Sequence, residues 1–410
     1  MDYAVDRMRM DPPPLDHPRT EAELRADAGN TITAKGMGGE EAMRVFAEVL
    51  APACLSIDHP RYFSFVPAAP TEASVLFDLV LGATCVYGGS WLEGAGAVFA
   101  ENEALRWLAD VAGLPAEAGG VFVSGGTAAN LSALVAARYR WRRGHPEREA
   151  IRPVVVSGAS AHSSVIAAAR VMDADIVAAP GDERGRLTGQ SLRARVDSMA
   201  RTDRDRVFAV VATAGSTNLG VVDDLAGVAD VAAELGAWLH VDGAYGGAAL
   251  LADSARHLFV GVERADSFVV DPHKWLFAPF DCAALLYRDP AVARAAHTQH
   301  AEYLDALNVA NQWNPSDYAY HLTRRARGMP LWFSLATYGT DAYRDAVEHT
   351  LRVTRRGAEL VRHAHHLELV MEPELSVLVF RRLGWQPDDY QAWSDRLLVA
   401  GTAFVVPTTW

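Results

Sequence analysis

A chain of 410 residues, half of them hydrophobic, is long enough to build more than one lobe. Its formal net charge of −13 argues against a nucleic-acid partner, and its three cysteines, Cys54, Cys85 and Cys282, lack both C-x-x-C spacing and the look of a disulfide framework. The charged, proline-bearing start (residues 1–14) has no apolar core of the kind a signal peptide needs. No apolar run approaches the roughly 20 residues that cross a bilayer, so a cytoplasmic protein without a membrane partner is expected.

Residues 1–56 read as an arm with prolines and an amphipathic helix over Gly39–Leu50, too poor in core to stand alone. From about residue 57 to 330, short apolar strands alternate with helical runs. The strands are Val121–Val123, Pro153–Ser157, Asp175–Ala179, Val207–Thr213, Ala237–Asp242 and Ser267–Val270. The helices are Ala128–Arg143, Ser163–Arg170, Ser191–Arg201 and Leu225–Leu235. This alternation predicts an α/β fold with a mainly parallel sheet covered by helices, whose ligands bind beyond the carboxyl ends of strands. Residues 331–410 predict a smaller α+β domain, with a helix over Pro330–Val353 and strands at Ser376–Arg382 and Thr402–Val406.

Polar residues gather where the apolar strands end. Ser124-Gly125-Gly126-Thr127-Ala128-Ala129-Asn130 follows a strand and opens a helix, so it is either an ordinary turn or an anion cradle built from free helix N–H groups. His162 either caps the next helix or lays its flat ring on a flat ligand. Thr213 is either a satisfied strand-end hydroxyl or a ligand donor. Asp242 either caps a turn or pairs with a cation.

Lys274, in Asp271-Pro272-His273-Lys274-Trp275, ends another apolar run and is flanked by bulky hydrophobic residues. Desolvation there would favour its neutral amine, which can bond an aldehyde. A Schiff-base lysine and an aspartate for a pyridinium nitrogen are the pairing that pyridoxal phosphate requires. At an effective dielectric near 20, an ion pair about 4 Å apart is worth about 4 kcal/mol, enough to keep such a ring cationic. His363, His365 and His366 lie on a charged helical stretch without zincin spacing, so no metal is expected. Arg324-Arg325-Ala326-Arg327 reads as a solvated or interface charge run.

Five segments, in order and spacing, carry a family resemblance: Ser124–Asn130, Ala161–Ser164, Val211–Thr217, His240–Gly247 and Asp271–Trp275. On these, from about His59 onward, the chain resembles the group II pyridoxal-phosphate-dependent amino-acid decarboxylases, aromatic-L-amino-acid decarboxylase among them. The resemblance implies a fold-type-I homodimer with active sites shared between subunits. It implies Lys274 as the Schiff-base lysine, Asp242 as the pyridinium partner, Ala244 under the ring and His162 over it. Gly126, Thr127 and His273 would hold the phosphate. Tyr303 resembles a mobile-loop tyrosine that returns a proton to the substrate carbon after carbon dioxide leaves. Phe65, Tyr87 and Trp91 match positions around the substrate pocket.

The implied activity is decarboxylation of an L-amino acid, aromatic for preference. Alternatives are a diaminobutyrate or acidic amino acid as substrate, oxidative conversion to an aldehyde, an aminotransferase, or a non-catalytic scaffold that binds the cofactor. Retention of both Tyr303 and His162 favours simple decarboxylation over aldehyde formation. Three departures stand out: Asp271 where several relatives place asparagine, Gly89 where a pocket phenylalanine is found, and an end at Trp410 that leaves the small domain apparently incomplete.

Overall fold

The computed structural model describes residues 1–300 and 312–408. Eleven strands occur among them: β1 (Tyr62–Phe63), β2 (Gly119–Val123), β3 (Val154–Gly158), β4 (Asp175–Ala179), β5 (Val207–Thr213), β6 (Trp238–Asp242), β7 (Ser267–Val270), β8 (Ala283–Tyr287), β9 (Leu367–Leu369), β10 (Phe380–Arg382) and β11 (Phe404–Val405). Seven form the central sheet in the order β2-β8-β7-β6-β5-β3-β4. The neighbours from β7 through β4 run parallel, and β8 alone runs against both of its partners. The mainly parallel α/β sheet expected from the sequence is therefore present.

Alternation along each strand sends side chains to two separate cores. Phe122, Val156, Val210, Leu239, Val241 and Phe268 face one core, together with Leu105 and Leu108 of the helix Trp91–Val111 and Val228 of the helix Leu225–Leu235. Val121, Val155, Val211, Val269 and Leu285 face the other, beneath Ala133, Leu134 and Ala137 of the helix Gly126–Arg142. Strands covered on both faces are mostly apolar, which is why the sequence showed them as near-continuous runs.

Boundaries differ where local chemistry intervenes. The arm helix is regular over Gly39–Val45 and then widens into a π turn, Phe46–Leu50. The helix expected over Pro330–Val353 is two helices, Met329–Tyr338 and Thr340–His363, because Gly339 at φ 78° breaks the first before the second begins. Only Phe380–Arg382 of the strand expected over Ser376–Arg382 forms, paired antiparallel with β9. β11 returns to pair in parallel with β1. No helix among the described residues is long and apolar enough to cross a membrane.

Candidate active site

Strand parity assembles the site. Thr213 lies beside Asp242 in the β5–β6 register, and Asp242 beside Val269, two residues before Asp271. All three polar residues end strands on the face covered by the helix Gly126–Arg142, at the carboxyl edge where α/β sheets bind ligands. Asp242 is buried, and both its oxygens are used: Oδ1 accepts from Ala244 N at 3.1 Å and Oδ2 from Asn130 Nδ2 at 2.8 Å.

Pro272 opens the one-turn helix Pro272–Trp275 and Asp271 precedes it, but the aspartate side chain does not cap that helix. Its Oδ2 instead accepts from Gly126 N at 3.2 Å and pairs with Lys274 Nζ at 2.9 Å. Lys274 is thus not embedded in apolar surroundings, as its sequence context suggested. Its side chain is 27% exposed and a buried carboxylate faces the amine. Trp275, stacked on Tyr245 at 5.4 Å, fixes the turn that carries it.

His273 Nδ1 accepts from Cys282 N at 3.0 Å, leaving Nε2 3.6 Å from Asp271 Oδ2. Burial, outweighing the pull of Asp271, lowers the pKa of its imidazole. Gly126 is close-packed: a Cβ there would stand 3.1 Å from Ala244 Cβ and 3.2 Å from Asp271 Oδ2. Gly125, at the helix N-cap, supplies no side-chain cap, and Thr127 is exposed in the first turn.

His162 does cap the helix Ser163–Val171, its Nδ1 accepting from Ser164 N at 3.2 Å with Ser164 Oγ at 2.7 Å. The cap leaves the ring exposed, so capping and presenting a flat face are compatible. Lys274, Asp271, Gly126, Ala244 and Asp242 form one run of contacts, with Thr213 adjoining Asp242. Tyr303 lies outside the described residues. Phe65 packs on Phe404 at 6.3 Å, Tyr87 Oη donates to Leu322 O at 3.0 Å and Trp91 N to Asn314 Oδ1 at 2.9 Å. None of these three contacts reaches Asp242 or Lys274. The glycine at 89 has a local reason, since a Cβ there would collide with the Tyr87 ring.

The sequence reading passed over several buried polar groups. Asn130 and His240 lie under Asp242, joined by His240 Nε2 to Asn130 Oδ1 at 2.8 Å. Asp223 accepts from Thr213 N and Leu187 N, each at 2.7 Å, and burial pushes its carboxyl up to about 7. Arg324, expected in a solvated or interface charge run, is buried within the chain and makes a two-pronged pair with Glu101 at 2.6 and 2.8 Å. A polar residue inside an apolar helical or strand pattern, as at 130 and 240, was the available signal.

Two buried oxygens here, Thr213 Oγ1 and Asp271 Oδ1, have no hydrogen-bond partner. Unpartnered buried polar atoms, a close-packed glycine at a helix start, an exposed aromatic cap and an amine beside a carboxylate suit a phosphorylated pyridine aldehyde. Residues 33–383 match the pyridoxal-dependent decarboxylase conserved domain. The chain belongs to that family. An aromatic-L-amino-acid decarboxylase of Bacillus atrophaeus is 31% identical over 363 residues, spanning 87% of this chain and 75% of the relative. An L-2,4-diaminobutyrate decarboxylase of Rhizobium meliloti is 34% identical over 343 residues, spanning 82% and 68%. Among solved structures, Oryza sativa TDC with PLP and tryptamine superposes with a TM-score of 0.91 at 27% identity, covering all of this chain and 89% of that one. The protein is a pyridoxal-phosphate-dependent amino-acid decarboxylase of fold type I, in agreement with the resemblance read from its motifs.

Proposed function

We propose that this decarboxylase acts on an aromatic L-amino acid and releases the amine and carbon dioxide. Three supports are the aromatic-L-amino-acid decarboxylase of Bacillus atrophaeus, the rice structure with tryptamine, and the aromatic side chains Phe65, Tyr87 and Trp91. The observation that carries the site assignment is the gathering of Thr213, Asp242 and Asp271–Lys274 on one face, at the ends of adjacent strands.

When bound there, pyridoxal phosphate supplies a cationic ring that takes up the electron pair left as carbon dioxide departs. Lys274 Nζ is the amine for the cofactor's aldehyde carbon. Asp271 Oδ2, 2.9 Å away, is the group placed to accept a proton from it. The Asp242 carboxylate holds a proton on the ring nitrogen. Ala244 would pack against one face of the ring and His162 would stack on the other. Gly126 and Thr127, with His273, bind phosphate, while Thr213 Oγ1 donates to the cofactor's edge. Gly126 N, now donating to Asp271 Oδ2, would be a donor to the phosphate when the cofactor is bound. Tyr303 returns a proton to the substrate carbon. Two subunits share each site, and Phe65, Tyr87 and Trp91 surround the substrate pocket. The protein works in the cytoplasm, in keeping with three unpaired cysteines.

The test is a screen of the twenty common amino acids and 2,4-diaminobutyrate for carbon dioxide release with added cofactor. Release from tryptophan, tyrosine or phenylalanine, with the amine as product, is the expected result. Turnover confined to diaminobutyrate or an acidic amino acid overturns the substrate. Aldehyde with hydrogen peroxide overturns the reaction type, and a monomer in sedimentation overturns the shared site.

A further inference from the structure

Asn130 sits in the helix Gly126–Arg142 with only 1% of its surface exposed, among Ala129, Ala133 and Leu134. A polar amide in such a place demands that each hydrogen-bonding group be met. Here each one is. One amide hydrogen goes to Asp242 Oδ2 at 2.8 Å and the other to Ser164 Oγ at 2.9 Å, while Oδ1 faces His240 Nε2 at 2.8 Å.

The carboxylate sets the polarity of the whole network. Rotating the amide would turn its carbonyl against Asp242, so Nδ2 must be the donor there and Oδ1 must be an acceptor. His240 therefore carries its proton on Nε2. Its Nδ1, 2.8 Å from Ser267 Oγ, accepts from that hydroxyl, whose oxygen in turn takes the Trp238 Nε1 hydrogen at 2.7 Å. Burial lowers the pKa of the His240 imidazole to about 4, against the pull of Asp242, which agrees with a neutral ring. On the other side Ser164 Oγ, having accepted from Asn130, gives its own hydrogen to His162 Nδ1 at 2.7 Å. One directional chain thus runs Trp238–Ser267–His240–Asn130–Ser164–His162, with Asp242 branching from its middle.

We propose that Asn130 is a positioning residue for the cofactor ring, its amide holding the Asp242 carboxylate and, through the Ser164 hydroxyl, the His162 imidazole as one unit. The inference rests on the assignment of Asp242 and His162 to that ring. The helix and strand β6 thereby present the nitrogen partner and the stacking ring in fixed relative positions, and His240 serves as the neutral donor that locks the amide.

The experiment compares four proteins with the wild type: Asn130→Asp, Asn130→Ser, Asp242→Asn and the double variant Asn130→Ser/Asp242→Asn. Each is titrated with pyridoxal phosphate by absorbance, and histidine ¹⁵N shifts are recorded without cofactor, His162 and His240 being assigned by substitution. In the wild type, both rings should show a pyridine-type Nδ1 and a pyrrole-type Nε2. In Asn130→Asp two carboxylates meet and the amide donors vanish, so both His240 nitrogens should become pyrrole-type as the ring takes a proton. Asn130→Ser should weaken cofactor affinity on the order of ten- to a hundred-fold. The double variant should lose clearly less than the product of the two single losses, because the Asp242 branch is shared while only the Ser164–His162 branch is added.

Losses that multiply in the double variant overturn the inference while leaving Asp242 its role. So does a His240 spectrum unchanged in Asn130→Asp, a near-isosteric variant that keeps this readout available should the serine variant be unstable. Full affinity in Asp242→Asn instead refutes the ring assignment itself, and the inference with it.

Discussion

Every residue of β3, β5, β6, β7 and β8 is buried, whereas β9, β10 and β11 hold two or three residues each and bury none of them fully. The central strands gain from apolar contact on both faces. The C-terminal strands are tied to the sheet by a small apolar cluster, Val370, Val377 and Val379 with Leu219 and Val221, and by a few polar contacts: Tyr245 Oη to Ser376, Glu374 to Val222 N, and Arg184 to Glu374. Lys274, Asp242 and Thr213 stand on the first kind of scaffold. Rigid support for the chemistry and a looser lobe beside it is the division this contrast implies.

The strongest way to separate the two is Lys274→Ala. The variant leaves the buried Asp271 carboxylate without its cation, so some loss of melting temperature is expected, but the decisive result is no carbon dioxide release and no cofactor absorbance shift from a chain that still folds. Retained absorbance would refute the lysine's role. Next in size is Glu101→Ala, which strands the buried Arg324 guanidinium and leaves Gly328 N without its carboxylate acceptor at 2.8 Å. Denaturant unfolding should show a loss of about 3–5 kcal/mol. A loss under 1 kcal/mol would mean that Arg324 escapes to water.

Asp223 sharpens the comparison through pH. Its folded-state pKa is raised by burial from 3.8 to about 7, so the folded chain holds a proton there that the unfolded chain has released. Its stabilising share is complete below about pH 4, declines as pH rises and is gone above about pH 7. The melting temperature of the wild type relative to Asp223→Asn should therefore fall across that window. A constant difference from pH 4 to 8 contradicts the shift. The smallest effect is expected for Tyr245→Phe, which removes the bonds to Ser376 and costs about 1 kcal/mol. Faster amide exchange should be confined to 376–382 and the strands nearby; exchange rising across β5 or β6 would show that the lobe and the sheet open together.

What the sequence revealed depended on how local the signal was. β4, β5 and β7 and the helix Leu225–Leu235 have the bounds their apolar runs predicted, the helix because Asp224 caps one end and Gly236, at φ 62°, closes the other. Thr213, Asp242 and Asp271 were legible as polar residues ending such runs. Direction was not: nothing in Ala-Ala-Leu-Leu-Tyr states that β8 runs against its neighbours. Partners distant in sequence were equally silent. Arg324 read as part of a solvated or interface charge run because Glu101 lies 223 positions away, and Asn130 read as part of a loop motif because His240 lies 110 away. The Asp271–Lys274 pair lies at a spacing of only three, but the apolar residues on either side mask it in the sequence.

One consequence lies in the path of the helix Gly126–Arg142. It leaves β2 at one end of the sheet and leads to β3 beyond β8, β7, β6 and β5, packing against four of those strands or their edges as it goes. Asn130 can meet Asp242 only after segments more than a hundred positions apart have been laid side by side. A nascent or half-assembled chain has no ring pocket to offer. Vitamin B6 supply would thus select finished molecules over unfinished ones, lifting their heat resistance in proportion to the logarithm of its free concentration.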